Sequence, residues 1–114
     1  MERYKIKITP YAREQMKEIR DYIACQLLNP DAARNTIKAI RKEVNSLSTM
    51  PDRLRTVDEE PWGSLGVRKI SVKNYYAYYW IEEEAQVVHV TAVAYAMRNQ
   101  ENVLKQIRDE KFKA

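Results

Sequence analysis

Residues 66–81 read Gly66-Val67-Arg68-Lys69-Ile70-Ser71-Val72-Lys73-Asn74-Tyr75-Tyr76-Ala77-Tyr78-Tyr79-Trp80-Ile81. β-branched and aromatic residues dominate the stretch and Asn74 interrupts it, so it reads as two strands, 67–73 and 75–82. Their short connection makes them antiparallel neighbours. A third run, 86–95, follows a polar turn at 83–85 and extends the meander. Period-two alternation turns Ile70 and Val72 inward and leaves Lys69, Ser71 and Lys73 outward. The middle strand carries aromatics on both faces, Tyr75 and Tyr79 on one, Tyr76, Tyr78 and Trp80 on the other. In the last strand Val88, Val90, Ala92 and Ala94 form one apolar row, expected to face the helices.

What precedes this meander supplies the cover. Tyr4, Ile6 and Ile8 alternate with Arg3, Lys5 and Lys7, the pattern of a half-buried strand. Thr9-Pro10 is a cap followed by proline at the first helical position, where a missing N–H costs nothing. Ala12, Met16, Ile19, Ile23 and Leu27 then recur at helical spacing. Asn29-Pro30 repeats the device and opens a second helix with Ala33, Ile37, Ile40, Val44 and Leu47 on one face. So short a break predicts an antiparallel helical hairpin. Met50-Pro51 ends it, because the residue before proline avoids the helical region. Residues 52–65 are charged and rich in breakers and read as a surface loop; Val103, Leu104 and Ile107 mark a short terminal helix. The expectation is an α+β fold of order βααβββα: an antiparallel sheet with the helical hairpin packed on one face and the other face open.

The 114 residues make a single domain, 1–114, able to bury roughly two-thirds of its unfolded surface without staples. Two glycines, Gly63 and Gly66, exclude the P-loop and Rossmann fingerprints. One cysteine, Cys25, and one histidine, His89, cannot furnish a three- or four-ligand nitrogen–sulfur metal site. No cofactor or metal is therefore expected. An internal disulfide is excluded, no secretory segment follows Met1, and no apolar run reaches the ~18 residues of a membrane span, so the chain reads as cytoplasmic with no membrane partner. The net charge is +4, with ten Lys/Arg against six Asp/Glu in residues 1–50 and ten of each thereafter. In the neutral half the acids cluster at 58–60 and 82–84, leaving Arg68, Lys69, Lys73 and Arg98 without acidic sequence neighbours.

Cations beside an aromatic row on an open sheet suit single-stranded RNA, phosphates meeting charge and bases meeting rings. The same composition suits a protein-docking groove. His89 reads as a half-exposed sheet residue, Cys25 as a small hydrophobe within the first helix, and Trp62 as a plug over the core edge.

The 66–75 run, continued by Tyr78-Tyr79-Trp80-Ile81, resembles the RelE/ParE superfamily of bacterial type II toxins, whose corresponding strands carry a similar G-x-R-K-x-x-V-x-N-Y-x-x-Y-Y pattern. Ala92-Val93-Ala94-Tyr95-Ala96-Met97-Arg98-Asn99 is similar to that superfamily's V-x-Y-G-R-R-D closing signature. The resemblance covers roughly residues 3–107 and implies a toxin neutralised by a co-encoded antitoxin. It further implies a ribosome-dependent mRNA endonuclease, with the ribosome and mRNA as partners; the alternatives are a ParE-like, non-enzymatic poison of DNA gyrase or a decayed toxin retaining antitoxin binding. On the nuclease reading, attack of a ribose 2′-OH on the adjacent phosphate needs a base, cationic donors and an acid. The resemblance assigns Lys69 and Arg98 as catalytic, and Arg68, Lys73, Tyr76 and Tyr95 as RNA-binding. Departures thin that set. Tyr76 stands where relatives carry an arginine, Ser71 where they carry a second basic residue, Leu104 near a terminal tyrosine, and Met97 replaces one of two paired arginines. Each missing donor costs on the order of 10²-fold in rate.

Overall fold

The computed structural model describes residues 3–97 and 102–105. The elements follow the expected order: β1 (Lys5–Ile8), α1 (Pro10–Asp21), α2 (Pro30–Ser46), β2 (Arg68–Val72), β3 (Tyr75–Glu82) and β4 (Val87–Tyr95), with a helical turn at 102–105. Both cap devices form. The Thr9 hydroxyl accepts from the Ala12 N–H and the Asn29 side chain from the Ala32 N–H, each at 3.1 Å, which satisfies one orphan donor per helix.

The sheet order is β1-β4-β3-β2. β2–β3 and β3–β4 are antiparallel, as the short turns require, whereas β1 lies parallel to β4, Lys5 opposite Val87 and Ile8 opposite Val90. The sheet is therefore mixed. Two helices intervene between β1 and the meander, a connection long enough for parallel docking.

Two clusters of buried side chains lie on opposite faces of the sheet. Beneath the helices, Ala12, Met16, Ile40, Val44 and Leu47 pack on Ile70, Val72, Ala77, Tyr79, Val88, Val90 and Val93. On the other face Val57, Trp62 and Val67 close over Tyr78, Ala92 and Ala94 together with Val103 and Leu104. The face expected to be open is thus partly covered, and residues 52–65 are a cover rather than a free loop. Trp62 is the expected plug.

The expected β4 row is split for a related reason. Tyr78 pairs with Ala92 and Tyr79 with Val90, so Thr91 has no partner and forms a bulge. Beyond it the alternation reverses. Val88 and Val90 face the helices, Val93 continues their row, and Ala92 and Ala94 turn to the second cluster. A second correction concerns α1, which ends in a π-helical turn, Tyr22–Gln26. The wider turn breaks the stripe after buried Ile23, leaving Leu27 and Cys25 exposed; Cys25 is not a core residue.

Candidate functional site

Strand alternation decides which of the sequence-expected residues meet. Lys69 and Ser71 lie opposite Tyr78 and Tyr76 on β3, on the face away from the helices. The Lys69 Nζ sits 4.3 Å from the Tyr76 ring centroid, a cation–π contact that holds the ammonium at the surface. Tyr76 in turn stands edge-on to Tyr78, centroids 6.3 Å apart. Beside them is a shallow recess of about 410 Å³ lined by Lys69, Ser71, Leu54, Arg55, Thr56 and Asp58. Arg55 is a cation that sequence reasoning missed. Its guanidinium engages both Asp58 carboxylate oxygens, at 3.2 and 3.3 Å. Only the docking of residues 54–58 against β2 brings it there, and no periodicity announces that docking.

Arg68 shares its side of β2 with Ile70 and Val72, so it points toward the helices. Its Nη1 donates to the Leu54 carbonyl and, at 3.4 Å, to that of Asp52. The Tyr79 hydroxyl, on the same side, donates to the Pro51 carbonyl at 2.7 Å. These bonds stitch residues 51–54 to the sheet and engage Arg68 away from the Lys69 face.

Lys73 and Tyr95 belong to a third region. Lys73 occupies the β2–β3 turn with φ of 53°. With Asn74, Tyr75 and Tyr95 it lines a groove of about 670 Å³ whose other wall is Ile19, Tyr22, Ile23 and Leu27. Tyr95, 47% exposed, meets Tyr75 edge-on with centroids 5.9 Å apart. Burial, and then the neighbouring Tyr95 and Tyr22 phenols, push the Tyr75 hydroxyl above its ordinary pKa. Tyr22, Leu27 and Tyr95 are exposed at the groove, and Leu28 and Met97 are their chain neighbours. Aromatic and aliphatic side chains of this kind characterise protein-docking surfaces.

At the far end of the outer face His89 stacks on Trp80, centroids 4.4 Å apart and rings 13° from parallel, and meets Glu82 through Nε2 at 2.8 Å. His89 is half-buried, as its strand position implies. Leu104 is fully buried in the second cluster and so presents nothing to a substrate. Arg98, the other catalytic assignment, lies outside the described residues. Among the described residues no group of three His, Cys, Asp or Glu could hold a metal ion, and no helix is long and apolar enough to cross a membrane.

Comparison with solved structures finds the same fold. The chromosomal ParDE toxin–antitoxin system from P. aeruginosa matches with a TM-score of 0.66 at 18% identity, covering 81% of this chain and 95% of that one. A doubly substituted E. coli toxin RelE in the free state matches at 0.62 and 17% identity, over 96% and 98% of the two chains. The RelBE2 toxin–antitoxin complex from Mycobacterium tuberculosis matches at 0.61 and 20%, over 83% and 93%. No curated protein sequence matches the chain. The family model for the ParE toxin of type II toxin–antitoxin system parDE matches residues 6–100. With its helical hairpin, four-stranded sheet and second-face cover in place, the chain belongs to the ParE toxin family within the RelE/ParE superfamily and is the toxin of a type II toxin–antitoxin system.

Proposed function

We propose that this toxin acts by binding rather than by cutting, as a ParE-type poison of DNA gyrase held in check by its antitoxin. The observation that carries this reading is the dispersal, among the described residues, of the cations and tyrosines expected to meet RNA together. Lys69 and Tyr76 share one face, Arg68 is bonded to backbone carbonyls on the opposite face, and Lys73 and Tyr95 line the groove beside the helices. A phosphorane is stabilised only by donors within hydrogen-bond reach of one point, and three separate regions do not supply that. A binding surface has no such requirement. The family model supports the same choice. The test is expression of Lys69→Ala in bacteria alongside the parent chain: both are expected to arrest growth, to induce the SOS response and to leave message intact by primer extension.

A second reading has its own observation. Lys69, Tyr76 and Arg55 do adjoin one recess, a reduced version of a cation-and-stacking site. It predicts cuts phased to the ribosomal A site that vanish in Lys69→Ala and in Arg98→Ala. Such cuts would replace the gyrase reading with the nuclease.

A further inference from the structure

On the helical side, away from Lys69, a recess of about 290 Å³ opens between α1 and α2. Its rim is Arg13, Lys17 and Arg20 from α1 and Arg41 from α2, and its lining contains no acid. Its floor is Ile8, Met16 and Ile37. We infer that this recess binds the phosphodiester backbone of a nucleic acid.

The arrangement begins in the sequence. Arg13, Lys17 and Arg20 are spaced i, i+4, i+7 and so form one stripe of α1. The helix is charge-balanced, because Glu14, Glu18 and Asp21 each follow one of those cations by one residue. One residue is about 100° around a helix, so the acids form a separate stripe; Glu18 indeed lines the groove on the other side. The cations and the acids occupy adjoining stripes, joined at Arg20 by its ion pair with Asp21. Like charges one turn apart destabilise a helix, and a bound anion relieves that repulsion.

The cations are also held for use. Arg13 is anchored through Nε to the Ile8 carbonyl at 3.4 Å, which sets its guanidinium over the end of β1. Arg20 is ion-paired with Asp21, its Nη2 and Nε donating to one carboxylate oxygen at 3.1 and 3.2 Å, which leaves its remaining donors for a ligand. The side chains of Lys17 and Arg41 are exposed and make no hydrogen bond or ion pair among the described residues. Three of the four are arginines, whose planar donor fork matches phosphate oxygens.

The floor argues against an acidic amphipathic peptide. Met16 is buried, and Ile8 and Ile37 are packed against the main core, so little apolar surface remains for a partner's side chains. Charge is what the recess offers. This inference does not depend on whether the toxin's target is gyrase or RNA.

The test is fluorescence anisotropy of the full-length chain with a labelled DNA duplex and with an RNA duplex of the same sequence, over a range of salt. The variant is Lys17→Gln with Arg41→Gln, both exposed, with its circular dichroism compared with that of the parent chain. The control is Lys5→Gln with Lys105→Gln, which removes the same charge elsewhere. The recess variant is expected to bind at least about tenfold more weakly, with the slope of log K against log salt reduced by about two. The control should keep affinity within about threefold of the parent. Whichever duplex binds more tightly identifies the nucleic acid. Equal loss in both variants, no binding of either duplex, or displacement of the duplex by an equally charged polyglutamate peptide would overturn the inference.

Discussion

The Tyr79 hydroxyl is fully buried and donates to the Pro51 carbonyl, so one phenol ties the end of the helical hairpin to the sheet. Tyr79→Phe is expected to lower unfolding free energy by about 1–2 kcal/mol in urea denaturation, leaving a buried acceptor without its donor. The same phenol contributes to an alkaline limit, together with the Tyr78 phenol, which burial pushes up further. Burial, only partly offset by Arg68 and Arg53, pushes the Tyr79 pKa from 10.0 up to about 12. Between those values the unfolded chain gives up the proton while the folded chain keeps it, so stability falls as pH rises from 10 toward 12. Thermal melts across that window should show the fall, and a shallower one in Tyr79→Phe. Trp62 offers the opposite case. Its Nε1–H is buried with no acceptor among the described residues. Trp62→Phe is therefore expected to cost less than about 1 kcal/mol, whereas Trp62→Ala, which empties the second cluster, should cost about 3–5 kcal/mol by the same denaturation assay. At this scale the sequence was informative about orientation. Alternation turned Lys69 outward as expected, and Tyr76 stands beside it because the tight turn fixes the β2–β3 register, whereas Arg68, grouped with Lys69 in the sequence reading, points to the other side.

Among the elements, what could be read in advance was what local chemistry sets. The two cap-plus-proline starts and the antiparallel hairpins each depend on a few neighbouring residues, whereas α2 ends at Ser46, short of the expected stop at Met50-Pro51. What could not be read depends on distant partners. Parallel pairing of β1 with β4 joins residues more than eighty apart in sequence. The bulge at Thr91 leaves no compositional mark in a run of β-branched and small residues, although it exchanges the faces of Ala92 and Ala94. Residues 52–65 show no periodicity, so their closure over the sheet was hidden, and with it the placement of Arg55. Gly63 marks that closure. A Cβ there would collide with the backbone carbonyl oxygen of Val57, which has little room to yield, and would crowd the Glu60 side-chain carboxylate. Gly63→Ala is expected to destabilise by about 1–3 kcal/mol, read as a lowered melting temperature.

The whole molecule presents surfaces of different character on its two sides. The outer sheet face carries Lys69, Tyr76 and the stacked Trp80–His89 pair. The helical side carries an apolar groove at Tyr22, Tyr75 and Tyr95 and a separate recess ringed by Arg13, Lys17, Arg20 and Arg41. The sequence indicated the cations and the aromatics but gathered them onto one face, because the cover over Tyr78 and the turn at Lys73 arise only when the chain folds. On the proposed reading, the described residues distributed in this way serve as contact surfaces rather than as a single catalytic centre. The most direct test of that claim is a gyrase cleavage assay with supercoiled plasmid, ATP and the purified toxin, quenched with detergent and protease. Linear DNA appearing in proportion to toxin, equally with Lys69→Ala and suppressed by cognate antitoxin, is the predicted result. Fully supercoiled product at toxic doses, with mRNA cut at the ribosomal A site in a parallel translation reaction, would contradict it.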